Sequence, residues 1–270
     1  MSGKSIARMT WKAFRGAVGE ETVAVIPMGS VELEGSHLPL GVDTIAAEAL
    51  AKSIVNLPGV LVGPTLPIGY SKWFMPFPGT ITLETETLIR VLLEYARSLI
   101  AHGIRRLVFL NAHKGNNACI ESAARTLIAE DRVRVAMLSV WKLAHDLAAV
   151  RQKKIAEGRF THAGEIMTSV ILALDPEAVD KTQMAPGKVR SPEDSAFRVI
   201  NSLGETDFMG SVQTIFQDIR QVTDSGILGD PMAASADKGE AILETISQYA
   251  GAFIAEFQKL PHEPKEKDQP

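Results

Sequence analysis

The sequence predicts an α/β protein built on a mainly parallel sheet. Two observations carry that reading. Short apolar runs with strand character alternate with longer helix-like stretches. The polar clusters also fall just after the strand-like runs, where open α/β sheets bind their ligands.

The elements follow in order. The run TVAVI predicts a first strand over 22–26, and it opens into a polar loop. A helix is expected over 44–55, then a short buried strand, VLV, over 60–62. The stretch 84–102 is long enough for a helix of several turns, and LVFL gives a strand over 107–110. A helix over 117–130, a strand over 133–140 and helices over 165–174 and 236–257 complete the set. From 175 to 230 the pattern weakens. Gly, Pro, Ser and Asp are frequent there, as in SPEDSAF and TDSGILGDP, so the stretch is read as an irregular excursion available for subunit contacts. The tail 260–270, LPHEPKEKDQP, is polar and proline-rich and predicts a mobile terminus after a single domain over 1–259. No internal repeat is visible.

Composition bounds the function. Of 270 residues, 46% are hydrophobic and 22% charged, as in ordinary globular proteins. A net charge of −4 offers no basic field for nucleic acid. A single cysteine, Cys119, excludes an intrachain disulfide framework and points to the cytoplasm. The N-terminus, MSGKSIARMTWKAF, lacks the apolar core of a secretory signal, and no run approaches a membrane span. The expected partner is therefore a small molecule.

Three polar clusters could carry chemistry. The first is Glu32, Glu34, His37 and Asp43, after the first strand. Glu32 and Glu34 are two apart, so in an extended segment they point to one side. Carboxylates aimed together repel unless a cation or a proton sits between them. The second cluster is NAHKGNN, 111–117, after the strand VFL. The third is His162-Ala163-Gly164-Glu165, at the opening of a helix, where a spacing of three puts His162 and Glu165 on one face. Carboxylate and imidazole together suit Zn²⁺, Mn²⁺ or Fe²⁺. Bland readings stand beside these. His113 can be a hydrogen-bonded structural histidine, Glu32 and Glu34 solvated loop charges, and Glu165 a favourable charge in a first helical turn.

The motifs in their order resemble the creatininase (creatinine amidohydrolase) family. That family's first motif reads approximately GS-x-E-Q-H-G-P-H-L-P-L-G-x-D, and this chain has GSVELEGSHLPLGVD. The second reads N-G-H-G-G-N against NAHKGN, and the third, H-A-G-E, is intact at His162 to Glu165. FPGT at Phe77 to Thr80 and GILGDP at Gly226 to Pro231 also look like family segments. The resemblance runs from about residue 10 to residue 258. It implies a three-layer α/β/α sandwich, assembly as a homohexamer, and metal-dependent hydrolysis of amide-type C–N bonds. Carried over by position, it implies metal ligands at Glu32, Asp43 (bridging), His113 and Glu165, with His162 as the acid/base group and Glu165 beside it in the catalytic set.

Glu34 departs from the family. It stands where the family has a histidine ligand. As a ligand it brings the carboxylates to four, enough to neutralise two divalent ions. Such a site acidifies bound water less and favours harder ions. Glu34 can alternatively stay protonated or act as a base with one metal retained, or it can mark the loss of the second metal. His37 matches the family's own second histidine and is not a substitute. Lys114 replaces a glycine and is placed to meet an anionic group or to balance Glu34; a solvent-facing lysine is the alternative. Tyr70 and Trp73, with Phe74, are expected to wall a substrate pocket, and Trp141 either lines the same cavity or sits in the core.

The expected function is a metal-dependent amidohydrolase. One or two Zn, Mn or Fe ions on Glu32, Glu34, Asp43, His113 and Glu165 would activate a hydroxide toward a cyclic or linear non-peptide amide. Lys114, Trp73 and Tyr70 would contact the substrate. Two rivals are a metal-dependent isomerase or lyase acting on a hydroxylated small molecule, and a non-catalytic binding protein on the same scaffold.

Overall fold

The computed structural model describes residues 4–148, 155–156 and 161–261. Its centre is a four-stranded parallel sheet: β1 (Val23–Met28), β2 (Val60–Val62), β3 (Arg106–Asn111) and β4 (Arg134–Ser139), in the order β2-β1-β3-β4. Helices make the crossovers that parallel strands require. A short α1 (Trp11–Ala17) precedes β1, capped by the Thr10 hydroxyl, and α2 (Val42–Ile54) links β1 to β2. The next crossovers are α3 (Thr85–Ala101) and α4 (Asn117–Asp131). After β4 come a short α5 (Val140–Leu143), then α6 (Glu165–Leu174), a one-turn α7 (Ile219–Val222) and the long α8 (Ala236–Gln258). The expected strands and helices are all present, with ends displaced by no more than two residues.

Every residue of β1 and β3 is buried, and their side chains divide by alternation. Val23, Val25, Val108 and Leu110 face α2, α6 and α8. Ala24, Ile26, Met28, Leu107 and Phe109 face α3 and α4. Two apolar layers therefore sandwich the sheet, which is the α/β/α arrangement expected.

The first layer is drawn tight at one crossing. A Cβ on Gly239 would lie 2.0 Å from the Ser169 carbonyl oxygen, so α8 can pass this close to α6 only with glycine there. Beside that crossing the Lys238 ammonium donates to Glu165, a carboxylate 1% exposed at the start of α6.

The 175–230 stretch is more ordered than its sequence suggests. It folds a second, antiparallel sheet from β5 (Arg198–Val199), β6 (Glu205–Phe208) and β7 (Ser211–Thr214). Gly204 makes this possible at φ +87, where a Cβ would meet the Ile215 carbonyl at 2.3 Å. Met209 and Phe216 on this sheet's rim are more than four-fifths exposed. Residues 260 and 261, the first of the expected mobile tail, are held in place. Arg106 holds the Leu260 carbonyl at 2.6 Å and Arg134 the Pro261 carbonyl at 2.7 Å. The rest of that tail, 262–270, lies outside the described residues. Among the described residues no helix is long and apolar enough to cross a membrane.

The Lys238–Glu165 contact can be tested directly. Lys238→Met should lower stability by about 3 kcal/mol, because it removes the cation paired with a buried carboxylate, with the loss read from urea denaturation. A loss within experimental error would show that the pair does not brace the two helices.

Candidate metal centre

The carboxyl ends of β1, β3 and β4 open into one cavity of about 670 Å³. Its floor holds Glu32, Glu34, Asp43, His113 and His162. Local structure delivers each of them. After Met28 the chain runs so close over the start of α2 that a Cβ on Gly29 would lie 2.4 Å from the Thr44 nitrogen. Val31 is then bridged to Ile81, and the Glu32 N–H donates to the Leu40 carbonyl. Glu32 and Glu34 therefore face the same cavity, as their spacing predicts, and are 1% and 0% exposed.

Asp43 lies in the first turn of α2, where unpaired backbone N–H groups favour a carboxylate. Both of its oxygens are engaged. Oδ1 accepts from the Trp141 indole at 2.6 Å, and Oδ2 accepts from the Ser30 hydroxyl at 2.8 Å. Trp141 thus lines the cavity and also orients a carboxylate.

His113 follows β3 on a loop that its asparagines lock. Asn111 donates to the His113 carbonyl and accepts from the His113 N–H. Asn116 donates to the Gly29 carbonyl and to Asn111. The His113 Nε2–H donates to the Tyr70 carbonyl at 2.8 Å, which leaves Nδ1 facing Asp43 Oδ2 at 2.9 Å. Trp73 stacks on the ring with centroids 5.7 Å apart. Gly115 is forced here: a Cβ would lie 2.4 Å from both His113 Nε2 and the Tyr70 carbonyl.

His162 sits in the turn before α6. Its Nδ1–H donates to the Gly226 carbonyl at 2.8 Å, and Phe74 stacks on it at 4.9 Å. Its Nε2 lies 3.2 Å from Glu34 Oε2 and 3.7 Å from Glu32 Oε1.

Three buried carboxylates in one hollow demand positive charge. Burial opposes charge on His113, but Glu32 and Asp43 outweigh it and lift that imidazole to about 9. Burial, then Asp43 and Glu32, push the Glu34 carboxyl well above the usual carboxylate range. Both shifts are the response of a carboxylate cluster that lacks a cation. The donor atoms agree. Glu32 Oε2, both oxygens of Glu34 and His162 Nε2 are buried without a hydrogen-bond partner. Two sets of three residues bring ligand atoms within 4.8 Å of one another: Glu32, Asp43 and His113, and Glu32, Glu34 and His162. Orphaned oxygens and nitrogens around a shared carboxylate fit a divalent cation.

Not every expected residue joins them. Glu165 is in neither set; its carboxylate accepts from Lys238 and from the Ala156 N–H. The spacing of three failed because helix begins only at Glu165, and Ala163 between the two is left-handed at φ +54. His162 and Glu165 therefore do not share a helical face. Tyr70 contributes its carbonyl rather than its ring, which packs with the α3–α4 layer and does not line the cavity. Trp73 and Lys114 do line it, and the Lys114 ammonium bonds Glu205 on β6 at 2.7 Å. His37 is structural: Nε2 pairs with the Thr168 hydroxyl at 2.9 Å, and burial, then His162, lower its imidazole to about 4. The cavity's roof was missed. Ile200, Leu203 and Val212 come from a stretch without strand periodicity, and only its length of intervening chain hinted at a role.

The comparisons with known proteins agree with this geometry. A family model described as Creatininase, creatinine amidohydrolase, matches residues 7–254. The chain is 30% identical to creatinine amidohydrolase of Pseudomonas putida, over 93% of this chain and 96% of that one. It is 32% identical to the mycofactocin precursor peptide peptidase of Mycobacterium ulcerans (strain Agy99), over 88% and 86%. A crystal structure of creatinine amidohydrolase superposes with a TM-score of 0.77 at 28% identity, covering 97% of this chain and all of that one. Similar creatininase structures include a form described as Mn and a Zn-Zn type.

Two predictions follow from the floor. Because the His113 imidazole is raised from 6.5 to about 9, its stabilisation of the metal-free protein is complete below pH 6.5 and lost as pH rises through about 9. A cation displaces that proton, so metal affinity should rise with pH up to about 9. Binding at pH 7 should release about one proton or more per ion, measurable calorimetrically in buffers of different ionisation enthalpy. Gly115→Ala should displace His113 or Trp73 and weaken metal binding by at least about tenfold. Unchanged affinity in equilibrium dialysis would contradict the crowding described.

Proposed function

The chain belongs to the creatininase family, and on that premise we propose that it is a metal-dependent amidohydrolase cleaving an amide C–N bond. The observation that carries this reading is the convergence of Glu32, Glu34, Asp43, His113 and His162 at the bottom of one cavity, with ligand atoms left unpaired. Glu32, Asp43 and His113 would hold the ion. A divalent metal there supplies Lewis acidity, which acidifies water and polarises a carbonyl.

The chain's own residues do the rest. Trp141 and Ser30 hold Asp43 in one orientation, and the Tyr70 carbonyl with the Trp73 ring fixes His113. Such outer partners govern both affinity and alignment. Phe74, Trp73, Met167, Ile200, Leu203 and Val212 give the cavity apolar walls that exclude water and suit the hydrocarbon part of a substrate. Asn111, Ser139 and Asn201 also border it and offer hydrogen bonds to orient an amide. Lys114, held by Glu205 at the rim, would meet an anionic group only by leaving that carboxylate.

The size of the cavity keeps the substrate class broad. About 670 Å³ exceeds a small ring and accommodates a short peptide or a substituted cyclic amide. The relatives include both kinds, a creatinine amidohydrolase and a peptide peptidase. A small non-peptide amide is therefore one arm of the reading, and a peptide bond the other.

The purified protein should carry one to two equivalents of transition metal by elemental analysis, as one- or two-ion catalysis requires. Screened on lactams, hydantoin-like rings, formamides and short peptides in ¹⁸O water, it should place label in the new carboxylate. Turnover without label would reject hydrolysis, and full activity after exhaustive chelation would reject the metal. Glu32→Ala should abolish both metal and turnover while leaving the fold intact by circular dichroism.

A further inference from the structure

We infer that Lys114 is the seat of a substrate carboxylate, so that the amide cleaved belongs to a molecule with a free carboxylate, such as a lactam acid or the C-terminal residue of a short peptide. The inference rests on the amidohydrolase reading above and narrows its substrate class.

The seat is argued from how its present occupant is held. Lys114 follows His113 on the loop after β3 and lines the cavity. Its ammonium donates to Glu205 Oε1 at 2.7 Å. Glu205 is placed by the roof. Its main chain lies in β6 opposite Thr214, and its Oε2 accepts from the Asn201 side-chain amide at 2.7 Å. Asn201 in turn accepts from the main-chain N–H groups of Leu203 and Glu205. The carboxylate is therefore fixed without the lysine, and the lysine reaches it from the floor loop. Glu205 fills, at the cavity rim, the position in which Lys114 would hold the carboxylate of a bound molecule.

Exchange is easy at this point. The Lys114 side chain is 56% exposed and that of Glu205 39%, and an ion pair open to water contributes little to stability. A ligand carboxylate can take the ammonium while Glu205 keeps its Asn201 bond, so the roof stays in place. The other lysine on the cavity wall is engaged locally. Lys142 pairs with Asp146, one turn along the chain, and Asp146 also faces His145. The charge distribution orients the ligand. Glu32, Glu34 and Asp43 on the floor repel a carboxylate and Lys114 at the rim attracts one, so the molecule enters with its amide inward. Lys114 stands where the resembling motif has glycine, so the seat belongs to this chain rather than to the motif.

The test compares free acids with their carboxamides on the protein as purified. Pyroglutamate and its carboxamide are the lactam probes, and glycylglycine and its carboxamide the peptide probes. Affinity is read by calorimetry, or as KM for a probe that is turned over. The wild type should favour the acid by about fivefold or more in one series, and the series that shows it identifies the source of the carboxylate. Lys114→Met should abolish the preference, and Glu205→Gln, which removes the competing charge, should raise it by about threefold or more. Both variants are checked for folding by thermal melting. A contact that only braced roof to floor would instead make the two variants move acid and carboxamide affinity in the same direction, and that result overturns the seat. Equal affinity, or no binding, for acid and carboxamide in both series overturns it too, as does a preference that survives Lys114→Met. A preference that follows these signs in a protein without metal or turnover would leave the seat standing while the amidohydrolase reading falls.

Discussion

Burial of Glu32, Glu34 and Asp43 together is the constraint on which the site depends. Carboxylates removed from water and crowded into one hollow cannot all stay charged without compensation. In the metal-free chain Glu32 and Asp43 outweigh burial and raise the His113 imidazole to about 9, while burial, then Asp43 and Glu32, raise the Glu34 carboxyl. That is a costly arrangement, and the surrounding structure is arranged to hold it. Asp43 takes two donors and a helix start, His113 takes the Tyr70 carbonyl and a tryptophan face, and His162 takes the Gly226 carbonyl and a phenylalanine face. These side chains are held from behind, while Glu32 Oε2, both Glu34 oxygens and His162 Nε2 are left without a hydrogen-bond partner.

The same constraint explains why the loops are as rigid as they are. Gly29, Gly69 and Gly115 all stand where a single methyl would collide with backbone or with a side chain of the site. Gly69 would press on Asn116, the residue that ties the His113 loop to the Gly29 carbonyl. The three loops at the sheet's carboxyl edge are therefore interlocked, and none can move without disturbing the others.

The sheet and its helices were legible in the sequence because their signals are local. Buried strands read as apolar runs, and α3 and α8 as long helical stretches. The convergence of Glu32, Asp43, His113 and His162 was legible because they follow strands or precede a helix. Glu165 misled because its spacing from His162 was read as helical, while the backbone between them turns through a left-handed residue. That is a φ angle, and sequence spacing does not report it. Tyr70 misled because its contribution comes from a carbonyl, which every residue has. The roof over 200–212 was illegible for another reason. Its order comes from pairing β5, β6 and β7 with one another and from Lys114 reaching Glu205 across 91 positions of chain, so no short window contains the signal.

That roof has a consequence for how such a protein can diversify. The floor is assembled from the edge of the parallel sheet, whereas the ceiling is one excursion of chain, joined to the floor through the Lys114–Glu205 contact and through Val199, which packs on the cluster of Leu33 and Phe74. Changes in 197–216 can reshape the space above the floor without moving Glu32, Glu34, Asp43, His113 or His162. A lineage can keep its metal chemistry for long periods while its substrate drifts, and a shared set of ligands is then a poor guide to a shared metabolite.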